Sequence, residues 1–556
     1  MKADRIIRNA KIFTADSKNP MASALAVKDG KFVYVGDEAG LAAYEGEVTD
    51  LGGKFVMPGI IDSHVHVTMG AGLEYTNPGV MISCNGKEQI LDFMADFVRK
   101  NPGQKVYPFG LEKKRLEGAV IEKEDLDAIC PDSELVVVEA EGHSVWVNSR
   151  ILKKHGITDD TPDPVPGLSY YVRKDGHVTG NIFEGAAEVP IMLDGVMELP
   201  DEMVDAALQR WIDFSVENGV TGVFDAGIPG LNSFNERIYA RLCAMDRQGK
   251  LPVYVDGCYV ISSAREVEEG LRELKRLRRE YDTEHVKVHT LKIFMDGTLK
   301  LHTAAMIENY ADVPRPGITA LNKEEFADLL LKLNEEGLDL HLHTVGDNAS
   351  RVVLDGVELA RKELKDSFRV KVTSAHLWVQ DDADMDRFAE LGVIANFTPA
   401  WHSGNIGGDP YELWKSLMGE KRASNMYRSR TMWDKGALVA WSSDDISYGT
   451  FKTWSPYLGM EVGMTRWTSP KTNAPEYNMT VKPFVPLNET MTIEEMIIGY
   501  TINGAKQLGI EASKGSIEAG KDADFLVFDK DLMTAEHEGF SYNLPKDVYF
   551  RGKKLN

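Results

Sequence analysis

The chain has 556 residues, a formal net charge of −23, 43% hydrophobic residues and 27% charged residues. This length is sufficient for a large domain with a smaller one beside it, and the composition is that of an ordinary globular protein. The negative charge argues against nucleic acid or an anionic membrane as a partner, because both bind basic surfaces. The four cysteines are widely spaced and form no Cys-x-x-Cys pair, so neither a disulfide framework nor a thiolate metal site is predicted.

The first residues show no apolar stretch of the kind found in signal peptides. No run approaches the roughly 20 apolar residues that a helix needs to cross a bilayer. We therefore expect a cytoplasmic protein that does not associate with membranes.

The two ends of the chain share one pattern, short apolar strands joined by turns. In residues 1–56 the dipeptide Asp29-Gly30 marks a hairpin between two such strands. Residues 485–556 contain further strand candidates, at 525–528 and 547–551. Because the termini of one domain often meet, we expect both ends to form a single small β-sandwich domain.

The middle of the chain, residues 57–484, alternates strand-like runs with helical stretches. This alternation favours parallel βαβ units and an α/β barrel. The stretch from His66 to Lys292 is too long for the two or three βα units that a barrel would place there. We therefore expect an insertion in the barrel at about residues 70–210.

The strongest local signal is His64-Val65-His66, at the end of the apolar run that begins at Val56. In a strand, residues i and i+2 point to the same face, so both imidazoles can face one point. Two convergent neutral imidazoles suit a cation such as Zn²⁺. In a barrel, that point would lie at the C-terminal mouth, where such folds carry their chemistry.

Four later strand-like runs also carry a candidate ligand or base near their ends. They are residues 289–297 with Lys292, 338–347 with His341 and His343, 370–378 with His376, and 436–444 with Asp444.

This order of residues resembles the amidohydrolase superfamily. The motifs around these residues resemble the amidohydrolase-3 branch, which includes N-substituted formamide deformylases. The resemblance extends over nearly the whole chain. Residues 291–297 with Thr303-Ala304-Ala305 resemble the family's "VKxFxDG…TAA" segment. The other motifs are 343–347 for "HxxGD", 442–444 for "GSD" and 141–149 for "DGHxxWxNS". The resemblance implies a (β/α)8 TIM-like barrel with a small β-sandwich domain formed by both termini.

The resemblance also implies the roles of the site residues. A divalent metal is expected, with zinc favoured, as one ion or two. The implied ligands are His64 and His66 for one metal, His343 and His376 for the second, Lys292 as a bridge after carboxylation by carbon dioxide, and Asp444, which is also the general base. His143 is the implied contact to the substrate carbonyl or oxyanion.

Some alternatives stay open at this stage. Lys292 could instead form a salt bridge with Asp296 or Asp225, and Lys287 and Lys300 are weaker candidates for the bridge. His341 precedes His343 on the same strand face, and we interpret it as a barrel-interior residue.

Other residues near the motifs carry weaker hypotheses. Asp445 neighbours Asp444 but should face the other way. Ala375 stands where the family usually has a glutamate, which weakens a contact behind His376 more than the ligand itself. Second-tier candidates are Glu184 and Asp225, and an apolar pocket could be formed by Trp146, Trp378, Trp401 and Trp441.

The leading functional hypothesis is hydrolysis of the C–N amide bond of an N-acyl or N-formyl amine by a metal-activated hydroxide. The alternatives on the same site are a deaminase, a cyclic amidase or an esterase/lactonase. A catalytically silent barrel that binds metal or a partner is the third hypothesis, and it would predict missing ligands. The expected partner is a small-molecule substrate, and the sequence leaves open whether the chain forms a homo-oligomer.

Overall fold

The computed structural model describes residues 1–556 except 74–77, 81–83, 104–106, 112, 140–141, 405–409, 447–454 and 474–481. Glu141, the first residue of one motif, therefore lies outside the described residues. The strands are β1 (Lys2–Arg8), β2 (Lys11–Phe13), β3 (Met21–Ala22), β4 (Ala24–Lys28), β5 (Lys31–Gly36), β6 (Glu45–Asp50), β7 (Phe55–Pro58), β8 (Ile60–Val65), β9 (Pro78–Val80), β10 (Tyr107–Leu111), β11 (Val136–Glu139), β12 (Ser144–Val147), β13 (Tyr170–Lys174), β14 (His177–Phe183), β15 (Val220–Asp225), β16 (Tyr254–Ile261), β17 (Val286–Phe294), β18 (Asp339–Thr344), β19 (Val372–His376), β20 (Ile394–Phe397), β21 (Val439–Trp441), β22 (Phe525–Phe528), β23 (Asp547–Phe550) and β24 (Lys553–Lys554).

The helices follow most barrel strands and also lie in the insertion. They are α1 (Val67–Leu73), α2 (Lys87–Lys100), α3 (Lys123–Ile129), α4 (Ser149–Lys154), α5 (Gly185–Met192), α6 (Asp201–Glu217), α7 (Asn232–Arg247), α8 (Val267–Glu280), α9 (Lys323–Glu336), α10 (Asp347–Leu364), α11 (Arg387–Leu391), α12 (Pro410–Met418), α13 (Glu420–Ala423), α14 (Ser429–Asp434), α15 (Pro456–Thr465), α16 (Ile493–Ile498) and α17 (Gly504–Leu508). Among the described residues, no helix combines the length and the apolar character that a bilayer span requires.

The central element is a parallel eight-stranded sheet in the order β8, β15, β16, β17, β18, β19, β20, β21. Its first and last strands approach each other, since Ser63 Oγ donates to the Trp441 carbonyl at 2.9 Å. Just beyond them, the Asp444 N–H donates to the His64 carbonyl, also at 2.9 Å. The sheet is therefore a nearly closed TIM-like barrel, which confirms the predicted fold class.

The strand β18 shows why these residues build a barrel wall. Leu340 and Leu342 lie in the large hydrophobic core, whereas His341 and His343 alternate with them along the strand. Because strand side chains alternate between faces, the apolar pair packs on the outer side while the two imidazoles enter the barrel interior. The same alternation determines which residues of each strand face the barrel interior, and therefore which side chains can act as ligands at the mouth.

Strands from both ends of the chain share one sheet, which has the order β24-β23-β22-β7-β2-β3, and a second sheet of N-terminal strands has the order β5-β4-β1-β6. The N-terminal β7 pairs antiparallel with the C-terminal β22, and Ile12, Val27 and Phe525 belong to one buried cluster. This arrangement agrees with a sandwich made from both termini, and the boundaries 1–56 and 485–556 stay a prediction.

The long connection between β8 and β15 carries a sheet of its own. These two strands are neighbours in the barrel, yet the chain between them forms a mixed sheet in the order β13-β14-β12-β11-β10-β9. Leu126, Val137 and Trp146 lie in a separate buried cluster of this region. This long connection agrees with the predicted insertion in the barrel. The limits of the insertion, at about residues 70–210, stay a prediction.

Candidate metal centre and active site

The predicted site residues lie at one end of the barrel, because the C-terminal ends of parallel strands meet there. His64 lies near the end of β8, Lys292 near the end of β17 and His343 near the end of β18. His376 is the last residue of β19, and Asp444 follows β21. The chain thus brings together residues that are far apart in sequence.

His64, His66 and Asp444 form the tightest group. Asp444 Oδ1 lies 3.5 Å from His64 Nε2 and 3.2 Å from His66 Nε2. One ligand atom from each of the three residues lies within 4.8 Å of the others. This spacing allows one cation to contact all three.

A hydrogen bond to the backbone determines the tautomer of His66. His66 Nδ1 lies 2.7 Å from the Gly227 carbonyl oxygen. Because a carbonyl only accepts, Nδ1 carries the proton and Nε2 presents its lone pair toward Asp444. The imidazole is thereby held in the tautomer that can bind a metal.

The remaining imidazoles surround this group. The His376 ring centroid lies 4.8 Å from that of His64 and 4.5 Å from that of His343. On its other side, His376 stacks on Trp401 at 5.3 Å. Burial lowers the pKa of His64, His343 and His376 well below the usual histidine value, so all three are neutral potential ligands.

Lys292 is fully buried beneath these rings, and burial lowers its pKa to about 8. Its Nζ has no hydrogen-bond partner among the described residues. Asp296 instead accepts the backbone N–H groups of Ala305, Val345 and Gly346.

Asp225 is likewise engaged elsewhere, since it accepts hydrogen bonds from Thr68 and Tyr239. Among the described residues, neither Asp225 nor Asp296 forms an ion pair with Lys292. The alternative lysines lie apart as well, because Lys287 pairs with Asp282 and the Lys300 ammonium lies over the Trp414 ring.

The donor set fits a divalent metal. Four buried polar atoms of this cluster lack a hydrogen-bond partner among the described residues: His64 Nε2, Lys292 Nζ, His376 Nδ1 and Asp444 Oδ1. Buried polar groups are normally satisfied, so a group of orphaned atoms facing one another needs a ligand. Nitrogen and carboxylate donors in this number suit Zn²⁺.

Backbone strain coincides with the site. His376 and Asp444 adopt left-handed conformations, with φ values of 79° and 58°. Non-glycine residues rarely adopt such angles, and they are enriched where function constrains the chain. At Asp444, the hydrogen bond from its N–H to the His64 carbonyl holds this conformation.

His143 reaches the site from the insertion. Its ring centroid lies 5.6 Å from that of His343, at the rim of the mouth. Its Nδ1 lies 2.8 Å from Glu184 Oε2, so the residue before β12 contacts the residue after β14 here. The structure thus brings His143 to the metal-ligand cluster.

Two contacts behind the ligands were not anticipated. His341 Nε2 lies 2.9 Å from His64 Nδ1, so His341 is a direct partner of a candidate ligand as well as an interior residue. The His-x-His pattern at 341–343 was the available signal, because it places both rings on one face. In the other contact, the Asp62 carboxylate accepts a hydrogen bond from the Ser443 N–H. Burial raises the pKa of Asp62 to about 7.

The four tryptophans near the motifs separate into two pairs. Trp401 lies beside His376 and contacts Trp378 edge-to-face at 5.5 Å. Trp146 is buried in the insertion core, and Trp441 is buried in the barrel wall with its Nε1 donating to the Glu495 carbonyl. The structure therefore leaves only Trp378 and Trp401 of this set near the metal-ligand cluster.

A model of the amidohydrolase family, of its amidohydrolase-3 type, matches residues 47–555. The chain belongs to the amidohydrolase family. This membership confirms the resemblance carried by the sequence motifs, and it agrees with the barrel and with the histidine cluster at its mouth.

Relatives of this amidohydrolase extend over most of its length. An N-substituted formamide deformylase from Arthrobacter pascens is 27% identical over 95% of this chain and 94% of the relative. The exoenzymes regulatory protein AepA from Pectobacterium carotovorum is 29% identical over 72% of this chain and 86% of the relative. The solved structure of an uncharacterized metal-dependent hydrolase from Pyrococcus horikoshii has a TM-score of 0.66 and 21% identity, and the alignment covers 96% of this chain and 99% of that one.

Proposed function

We propose that this amidohydrolase cleaves the C–N amide bond of an N-acyl or N-formyl amine, a small-molecule substrate. The observation that carries the proposal is the convergence of His64, His66 and Asp444 within 4.8 Å, beside orphaned buried atoms of Lys292 and His376. The formamide deformylase from Arthrobacter pascens, similar along nearly its whole length, supports the choice of bond.

The metal in this proposal is zinc, as one ion or two. His64, His66 and Asp444 would hold the first ion, His343 and His376 the second, and Lys292 would bridge them once carboxylated. A divalent metal supplies hydroxide at neutral pH by lowering the pKa of water to about 7.

Asp444 is the general base of the proposed reaction. Its Oδ1 lies beside both imidazoles of the His-x-His pair, so it is within reach of a water at the same point. The carboxylate would take the proton of the attacking water and pass it to the nitrogen that leaves. This transfer matters because an unprotonated amide nitrogen is a poor leaving group.

His143 is the proposed contact to the substrate carbonyl. Its Nδ1 is engaged by Glu184, and its ring lies next to that of His343. The remaining nitrogen, Nε2, would donate to the substrate carbonyl oxygen as negative charge develops there.

The test is amine release from a panel of N-formyl, N-acetyl and longer N-acyl amines by zinc-loaded protein. Asp444→Asn should abolish the release, whereas Asp445→Asn should retain it, because the Asp445 carboxylate is not part of the ligand group. Equal release by Asp444→Asn would reject Asp444 as the base. No release from any amide, with ammonia release, ring opening or ester or lactone hydrolysis instead, would replace the proposal by one of the alternative activities.

A further inference from the structure

Glu184 occupies a strained and buried position between β14 and α5. The residue is 3% exposed, and its backbone φ of 65° lies in the left-handed region, although it is not a glycine. Such a conformation is unfavourable for a residue with a side chain and persists only where the surroundings impose it. The position is therefore constrained for a reason that local sequence preference does not supply.

Both carboxylate oxygens of Glu184 are used, and they serve different parts of the molecule. Oε2 lies 2.8 Å from His143 Nδ1, within the insertion. Oε1 accepts from Thr303 Oγ1 at 2.5 Å and from the Thr298 N–H at 3.2 Å, both in the segment after β17. One side chain thus joins the insertion to the segment that follows the Lys292 strand.

The contact fixes which nitrogen of His143 faces the site. Since Glu184 Oε1 accepts from two other donors, Oε2 is the oxygen that accepts from His143 Nδ1. In the imidazolium that pairs with a carboxylate, Nε2 carries the second proton, which can be donated to a substrate carbonyl. The same bond restrains rotation of the ring.

Gly297 packs closely against the Glu184 carboxylate. A Cβ built on Gly297 would lie 2.3 Å from Glu184 Oε1 and 2.4 Å from Thr303 Oγ1. Backbone and side chains therefore enclose the carboxylate from the barrel side, while His143 encloses it from the insertion side.

We propose that Glu184 is a positioning residue that acts through His143, so that the insertion supplies a Glu–His pair to the barrel site. The pair presents His143 Nε2 toward the substrate carbonyl, and Thr298 and Thr303 anchor it to the segment after Lys292. The substrate part of this inference rests on the function proposed above.

Glu188 offers a matched control on the same helix. It is 1% exposed, and its Oε2 has no hydrogen-bond partner among the described residues. Burial raises its pKa well above the usual glutamate value and so favours the protonated form. Glu188→Gln is therefore close to isosteric and makes the same formal change as Glu184→Gln.

The kinetic test compares Glu184→Gln, Glu184→Asp, His143→Asn and the double variant Glu184→Gln/His143→Asn. We expect kcat of Glu184→Gln to fall about 100-fold with KM within about 3-fold of the unmodified protein. Glu184→Asp should recover part of the loss, and Glu188→Gln should behave like the unmodified protein. The double variant should be no slower than His143→Asn alone, because both changes disable one unit.

A second measurement needs no substrate. In proton–nitrogen NMR spectra of the imidazole groups, His143→Asn should remove one slowly exchanging Nδ1–H signal. Glu184→Gln should shift or broaden that signal, whereas Glu188→Gln should leave it in place. A merely structural role for Glu184 would lower stability without moving this signal selectively.

The outcomes separate the two proposals. If no amide is cleaved but the His143 signal depends on Glu184, the proposed function fails and the Glu–His pair stands. If amides are cleaved but the losses in Glu184→Gln and His143→Asn are additive, or the signal ignores Glu184, the pair is rejected and the function stands.

Discussion

His341 Nε2 lies 2.9 Å from His64 Nδ1, so the candidate ligand on β8 is hydrogen-bonded to a histidine on β18. This contact turns His64 Nε2 toward Asp444, at 3.5 Å. Partners behind a metal ligand fix its tautomer and orientation, and their loss weakens metal binding. The alignment of the ligand cluster therefore depends on a residue that itself faces no metal.

Replacement of His341 by leucine should weaken metal affinity by about 10- to 100-fold, because His64 loses its hydrogen-bond partner. His341→Gln keeps a polar partner and should lose less. Zinc affinity measured by competition with a chromophoric chelator checks both. Equal affinities for His341→Leu and the unmodified protein would show that His64 does not need this contact.

Lys292→Met should stabilise the metal-free protein by about 1 kcal/mol or more, because an unpaired buried cation is replaced by an apolar side chain of similar length. Zinc content should fall in the same variant. Lys287→Met on the same strand is the control, since Lys287 forms a half-exposed ion pair with Asp282 and should change stability by no more than about 0.5 kcal/mol. Denaturant unfolding measures both, and a destabilised metal-free Lys292→Met would contradict the prediction.

His289 should stabilise the protein in a defined pH range. Its Nδ1 lies 3.0 Å from Asp256 Oδ1, and this carboxylate raises the His289 pKa to about 10. The folded pKa exceeds the unfolded value of about 6.5, so the stabilisation is complete below pH 6.5 and is lost as the pH rises to about 10.

His289→Gln should therefore destabilise the protein by about 2 kcal/mol at pH 6, and the difference should disappear above pH 10. The exposed His177, which pairs with Asp159, provides the control, and His177→Gln should show little effect at either pH. Denaturant unfolding at the two pH values measures the free energy of unfolding of each variant. If His289→Gln and the unmodified protein differ by the same amount at both pH values, the ion pair is not the cause.

Gly297→Ala should disturb the Glu–His pair through its added methyl group, while the Gly297 carbonyl that accepts from His343 Nε2 at 3.4 Å is kept. The added methyl would lie 2.3 Å from Glu184 Oε1, which leaves the carboxylate no room in its present place. We expect kcat to fall at least about 10-fold with zinc affinity unchanged. Gly249→Ala serves as the control, because its Cβ would meet nothing within 4 Å; its φ of 69° adds a backbone cost that Gly297→Ala does not carry. Unaltered kcat in Gly297→Ala would show that Glu184 can relocate.

Local patterns in the sequence predict much of the barrel. The apolar runs and the His-x-His spacing of β8 and β18 depend only on strand alternation, which is a local property. The six ligands and bases proposed from the motifs lie at one mouth because parallel strands share their direction, and this also follows from the sequence.

What the sequence could not supply depends on contacts between distant elements. The His-x-His pattern at 341–343 places the His341 ring inside the barrel, but it does not indicate that His64 will lie against it. Nothing near Trp146 separates it from Trp401, although one is buried in the insertion and the other stacks on His376. The mixed order of the insertion sheet is likewise set by tertiary pairing, which overrides local preference.

The strand β7 ends at Pro58, and β8 begins two residues later and leads to His64 and His66. Because β7 pairs with β22, the ribosome must synthesise the chain as far as Phe525 before this partner of β7 exists. Long-range pairing of this kind forms late. A chain that ends before Phe525 would therefore leave the β22 side of β7 unpaired, next to the strand that carries His64 and His66, even though every proposed ligand has been translated. Such a chain should not mature into active enzyme.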